Sequence, residues 1–309
     1  MSKPASTRHL AETSKEPDEL GALALSLAAS PRFHEAVINY TDAVITLRTT
    51  GPRYINKLLG RDVRFRIVTL CFCLGVRCRI LGPERGPTYA QLVDALKRTL
   101  NGSARVVKTT LDMMHAMGLL TVETGRQDQR LKIFIPTPAL DNLVKNWMLG
   151  ICSHLDTLTP DGRRVERLRS DPCTVEQIAL NMGHAFINGE PLTGRVPDLA
   201  CFFNHECGWP VLNTLARHAI EGTAIPSLGS IARSFQVSKS QVANVISKSV
   251  AAGFVVKTSD DTFMATRLLM EQYEAWVSVF FAFMMIASPE GNMIYDTKAA
   301  AVRHLAETL

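Results

Sequence analysis

The sequence has no apolar run long enough to cross a bilayer. The longest, residues 277–287, is broken by Ser278 and falls well short of the ~20 residues a span requires. Residues 1–19 are polar and mixed in charge, without the apolar core of a secretory signal. The seven cysteines are odd in number in a long chain, which argues against a disulfide framework. Aromatics make up only 7% of residues, and Gly (19) and Pro (15) are too few for a collagen-like, mucin-like or wholly disordered chain. No G-x-x-x-x-G-K-[S/T] phosphate loop, H-E-x-x-H pair or G-x-S-x-G nucleophile turn occurs. These absences predict a cytoplasmic globular protein without membrane contact or cofactor, and not an enzyme.

What is present is ordinary globular material. The chain has 309 residues, 46% of them apolar, enough for two or three cores. Its net charge of +5, from 34 basic and 29 acidic residues, permits a polyanionic partner without demanding one. Apolar spacing of three and four residues predicts a mainly α fold, with helices from Pro31 towards Arg48, over 65–80, over 139–158 and over 267–287. The domain reading is a disordered tail 1–20, a first repeat 21–158, a linker 159–172, a second repeat 173–288 and a C-terminal tail 289–309.

The pattern of the middle region carries the reading. Pro87-Thr88 opens a short helix with Tyr89, Leu92, Val93 and Leu96 inward, and Asn101-Gly102 makes a turn. Ser103 caps a second helix with Val107, Leu111 and Met114 on one face, and Gly118 stops it. Strands over 119–123 and 131–135 flank a polar tip. Helix, helix and β-hairpin in this order predict a winged helix-turn-helix. The same order recurs downstream. At an offset of 135, Ser103 falls on Ser238, Val107 on Val242, Leu111 on Ile246 and Gly118 on Gly253. At an offset of 139, Pro87 falls on Pro226 and Leu92 on Ile231. Two winged modules with flanking long helices, in a pseudo-two-fold repeat, are therefore expected.

A helix in this position enters the major groove, where each base pair shows a distinct donor and acceptor pattern. The first such helix offers Arg105, Lys108 and Thr109, and the tip of its wing offers Arg126 and Arg130 for phosphate or a narrow minor groove. The second offers Lys239, Ser240, Gln241, Asn244 and Lys248, with Gln and Asn suited to adenine edges. Charge favours the first module: residues 60–136 carry a net +7 and residues 210–266 only +2, with Asp260-Asp261 at the second tip. Cys71, Cys73 and Cys78 read as core thiols. Cys201, His205 and Cys207, with Glu206 between, lack an evident fourth ligand, so no metal is expected. The basic run Arg163, Arg164, Arg167 and Arg169 reads as a solvated helix face or an accessory phosphate contact.

The two-helix unit with its Ser103 cap, Gly118-Leu119-Leu120, and Arg126-x-Asp128-x-Arg130 leading into Ile135-Pro136-Thr137 resemble the MarR group of bacterial regulators. The segment Leu158-Thr159-Pro160-Asp161-Gly162-Arg163 is also similar to one that opens a later helix in that group. The resemblance covers about 75 residues of the first module well and the second in outline, where the wing lacks the Asp-x-Arg pattern. It implies a sequence-specific regulator that binds double-stranded DNA, with Arg130 in the minor groove and Asp128 orienting it. In that group two subunits each supply one module; here both lie on one chain, which implies a monomeric pseudo-dimer, a homodimer being the other possibility. Two further readings stand beside it: a winged scaffold for protein contacts, and a tandem winged-helix replication initiator.

Overall fold

A computed structural model describes residues 18–51, 53–99, 103–125, 128–159, 162–187, 192–258, 262–288, 302–303 and 306–307. Among them the protein is mainly helical, with two small antiparallel two-stranded sheets. The chain begins with α1 (Glu19–Ala28), α2 (Phe33–Thr50) and α3 (Arg53–Leu59). Next, α4 (Asp62–Leu81) leads into α5 (Tyr89–Thr99), α6 (Ala104–Ala116), strands β1 (Leu120–Thr124) and β2 (Lys132–Pro136), and α7 (Pro138–Leu158). Helices α8 (Arg164–Ser170) and α9 (Pro172–Ile187) follow. The last part carries α10 (Ala200–Phe203), α11 (Gly208–Glu221), α12 (Leu228–Phe235), α13 (Lys239–Ala251), strands β3 (Val255–Lys257) and β4 (Phe263–Ala265), and α14 (Arg267–Ala287).

Contacts divide the chain into two compact units. Unit A is Val63–Pro191 with Met284–Leu309, and unit B is Met1–Asp62 with Leu192–Phe283. Unit A holds the first helix–helix–hairpin segment, residues 87–137 (segment A). Unit B holds the second, residues 225–266 (segment B).

Unit B departs from the expected boundaries. The N-terminal helices lie with segment B, not with the first repeat, because α2 buries Tyr40 and Thr41 there. Tyr40 packs its ring 5.8 Å from Phe280 and 5.6 Å from Phe281, covering apolar residues of α14. The Thr41 and Tyr273 hydroxyls lie 2.9 Å apart, and Tyr273 donates to Asn213 Oδ1 over 2.7 Å. Phe203, Trp209 and Trp276 complete the aromatic core, with centroids 4.8 to 5.3 Å apart. A fully buried side chain of this size is worth roughly 1.5–3 kcal/mol of transfer free energy. The tail boundary at residue 20 also moves. Asp18 caps α1 by accepting from Gly21 N at 2.9 Å, and Leu20 is already buried.

Unit A is centred on α4, whose Ile67, Leu70, Cys71, Phe72, Cys73 and Val76 are all buried. Burial pushes the Cys71 and Cys73 thiols far up, out of reach of ionisation. Half of the expected linker 159–172 is instead helix α8. Four residues at the start of any helix have N–H groups without partners inside it. Asp156, near the end of α7, meets this need: its carboxylate accepts from Arg164 N at 3.1 Å and Val165 N at 3.0 Å. Arg164 is 3% exposed, with Nη1 bonded to Asp156 at 3.3 Å and to Thr159 Oγ1 at 2.9 Å. It is therefore a packed residue and not part of a solvated basic face. The turn at Asn101-Gly102 and nearly all of the two tails lie outside the described residues.

Segments A and B make matching backbone bonds. Leu119 N bonds to Met114 O at 2.9 Å, and Phe254 N to Ser249 O at 2.9 Å. Each turn passes through a glycine in the left-handed region, Gly118 at φ +69° and Gly253 at φ +76°, where a Cβ would be strained. Thr137 closes segment A with its hydroxyl on Gly118 O at 2.7 Å, and Thr266 closes segment B on Gly253 O at 2.8 Å. The sheets pair Leu120 with Pro136 and Val255 with Ala265. A residue before each first helix bridges to the hairpin: Thr88 to Ile133, and Ile225 to Phe263.

Candidate nucleic-acid interface

Helix α6 is set by its two ends. Ser103 Oγ accepts from Val106 N, and the left-handed turn at Gly118 ends the helix. Between them Val107, Thr110, Leu111 and Met114 are buried, which turns Arg105, Lys108, Thr109 and Asp112 outward. Lys108 Nζ lies 2.7 Å from Asp112 Oδ2, a pairing that raises the lysine's pKa. Thr109 spends its hydroxyl proton within the helix, on Arg105 O at 3.0 Å or Val106 O at 3.1 Å. Arg105 is exposed, and its guanidinium meets no partner among the described residues.

Arg130 stands exposed just before β2. Asp128 Oδ1 accepts from the backbone N of Arg130 at 2.9 Å, so this carboxylate shapes the turn rather than pairing with the guanidinium. Arg126 lies outside the described residues. Lys108, Asp112 and Arg130 border one open cleft of about 680 Å³, together with His115, Lys132 and Phe134. Sequence reasoning had Lys108 and Arg130 but missed Lys132, His115, Tyr89 and Phe134. Strand alternation was the available signal for Lys132, since it puts that side chain opposite the buried Ile133.

The set on α13 is exposed throughout: Lys239, Ser240, Gln241, Asn244 and Lys248. Their surroundings differ. Gln241 Oε1 accepts from Ser238 N at 2.9 Å while Ser238 Oγ accepts from Gln241 N at 3.1 Å. This reciprocal cap holds the glutamine that had been expected to read an adenine edge, and the spacing Ser238-x-x-Gln241 is its sequence signature. Ser240 Oγ lies 3.0 Å from Ser238 Oγ. Lys248 Nζ contacts His205 Nε2 at 2.6 Å. Lys239 and Asn244 meet no partner among the described residues.

The cysteines form no metal centre among the described residues. Burial pushes Cys201 and Cys207 up to about 11 each, and Cys152 to about 12, so none is poised as a thiolate. No helix among the described residues is long and apolar enough to cross a membrane. The geometry defines a mainly helical protein with two hairpin-bearing segments, one of which carries a cation-lined cleft. No family model, curated protein or solved structure matches the chain.

Proposed function

We propose that the chain is a DNA-binding regulator that uses two winged helix-turn-helix modules, segments A and B, as a single-chain pseudo-dimer. The observation that supports this most is the matching closure of the two segments. Each has a Ser-capped second helix, a left-handed glycine, a hairpin and a threonine hydroxyl on the glycine carbonyl. On the outer face of α6, Arg105 meets no partner among the described residues, and Arg130 stands exposed just before β2, the side-chain chemistry that phosphate and guanine edges require.

Salt dependence tests the reading. Binding of a duplex through Arg105, Lys108, Arg126 and Arg130 releases condensed counterions, so affinity falls steeply as salt rises. Replacing one phosphate-contacting residue by Ala flattens the logarithmic slope by about one unit. Unchanged affinity after replacing all four defeats the DNA reading of segment A. Scattering is expected to give one chain of 34.0 kDa per duplex, on an imperfect palindrome or two unlike half-sites. A homodimer that places only segment A on a symmetric site refutes the pseudo-dimer.

A second reading, a protein-contact module, is favoured at segment B. Val250 and Val256 are 39% and 50% exposed there. At the offset of 135 segment A has His115 and Thr121. If segment B works this way, Lys239→Ala and Asn244→Ala leave duplex affinity unchanged, while Val256→Asp abolishes capture of the protein partner.

A further inference from the structure

The cleft between α6 and the β1–β2 hairpin of unit A combines apolar walls with a cationic rim. It measures about 680 Å³, and its apolar wall is formed by Tyr89, Leu111, Val122, Leu131 and Phe134. That volume falls within the roughly 300–1,000 Å³ typical of ligand clefts. The outside of a duplex is a charged phosphate ridge and buries little against apolar walls. An unpaired base has two apolar π-faces and stacks on aromatic side chains whatever its identity.

The rim supplies the complementary charge. Lys108, Arg130 and Lys132 border the cleft, and the one carboxylate among its described lining residues, Asp112, is already neutralised by Lys108 at 2.7 Å. The side chains of Arg130 and Lys132 meet no partner among the described residues, so both are available to phosphate. Tyr89 is 38% exposed yet anchored, because its hydroxyl donates to Ala104 O over 2.9 Å. An anchored aromatic loses little freedom when a base stacks on it. Segment B does not repeat the pattern. At the same offsets Tyr89, Lys108 and His115 are matched by Leu228, Ala243 and Val250, with neither the tyrosine ring nor the cation.

We propose that this cleft takes an unpaired nucleotide of DNA, with the base against Tyr89 and Phe134 and the flanking phosphates on Arg130 and Lys132. The inference rests on the DNA-binding reading of segment A and adds the state of the strand that segment A selects. A bulge, a frayed end or a single strand is its substrate class.

The test uses the full chain and fluorescence anisotropy with three labelled probes: a paired duplex, the same duplex with one bulged nucleotide, and the single strand. The bulged and single-stranded probes are expected to bind about tenfold more tightly than the paired one. Tyr89→Leu keeps the apolar bulk, removes the π-face and lies at an exposed position, so the chain stays folded. It should remove that preference while changing paired-duplex affinity by less than about twofold. Lys132→Gln should weaken the two unpaired probes and lower their salt slope by about one unit. The proposal is overturned if the paired duplex binds as well as the others, or if Tyr89→Leu weakens all three equally. Salt-sensitive duplex binding with no preference for unpaired DNA sinks this inference alone. Preference for the unpaired probes without site-specific duplex binding keeps the cleft and sinks the regulator reading.

Discussion

Lys248 on α13 contacts Nε2 of His205 through Nζ over 2.6 Å, joining a helix expected to face DNA to the turn that precedes α11. The contact requires a neutral imidazole, since only then does Nε2 carry a lone pair to accept with. Burial is the main cause that holds His205 below its usual value, and Lys248 and Arg61 add to it. Part of the polar face of α13 is therefore engaged within unit B.

Acid should destabilise the protein in a defined window. His205, His154 and His218 all titrate below the usual 6.5 in the folded chain, with burial the largest cause for each. The native state then binds fewer protons than the unfolded one, so stability rises with pH in this range. Their contribution is complete above pH 6.5 and declines as pH falls from there towards the folded values. Urea midpoints measured between about pH 8 and pH 5 should decrease on the acid side. His205→Gln should flatten the decline, and an unaltered slope would show that His205 is not one of its sources.

Arg164 should be a structural residue. Substituting Ala leaves the Asp156 carboxylate, 17% exposed, without its guanidinium, although it still accepts two backbone N–H groups. Removing one member of a buried pair costs about 3–5 kcal/mol, and the surviving backbone bonds put this case at about 3. Denaturant titration of Arg164→Ala measures it. A loss as small as those of Arg163→Ala and Arg169→Ala, both at exposed positions, would contradict the packing role.

Tyr273→Phe isolates one hydroxyl. The change keeps the ring among the buried aromatics but removes the donor to Asn213 Oδ1 at 2.7 Å and the neighbour of Thr41 at 2.9 Å. A buried acceptor left unsatisfied costs about 1–3 kcal/mol. The loss should shrink in Tyr273→Phe/Asn213→Leu, where the orphaned amide is gone, and a double-mutant cycle reads that coupling.

Gly118→Ala and Gly253→Ala should cost similar amounts. Both positions have left-handed backbone with no neighbour closer than van der Waals contact to an added Cβ, so the cost is conformational. About 1–2 kcal/mol is expected at each. Thermal unfolding of the two variants compares them directly, and a cost at only one site would show that the two turns are not equivalent.

The elements were largely legible in the sequence and their partnerships were not. Ser103, Ser238, Gly118 and Gly253 mark helix ends through bonds spanning three to five residues, and the structure places helix ends at those positions. Residues 267–287 were expected as one helix and form α14. The candidate site was legible in part. Exposure of Arg105, Lys108 and Arg130 followed from helix period and loop position, whereas the cleft that joins Lys108 with Lys132, Tyr89 and Phe134 has no linear signature. Gln241 could have been placed from Ser238-x-x-Gln241 and was not.

By itself, the sequence determined the long helices over 139–158 and 267–287, the two hairpins and the capped ends of α6 and α13, because those features rest on periodicity and on hydrogen bonds between near neighbours. Tertiary structure decided the rest. Thr41 meets Tyr273 across 232 positions, and that packing assigns the N-terminal helices to the unit of segment B. Asp156 captures Arg164 and turns an expected linker into a packed helix. His205 reaches Lys248 across 43 positions and engages a side chain expected to be open. Contacts of this kind depend on which faces of distant elements close over one another, and a buried polar group then takes whatever partner that closure brings within reach.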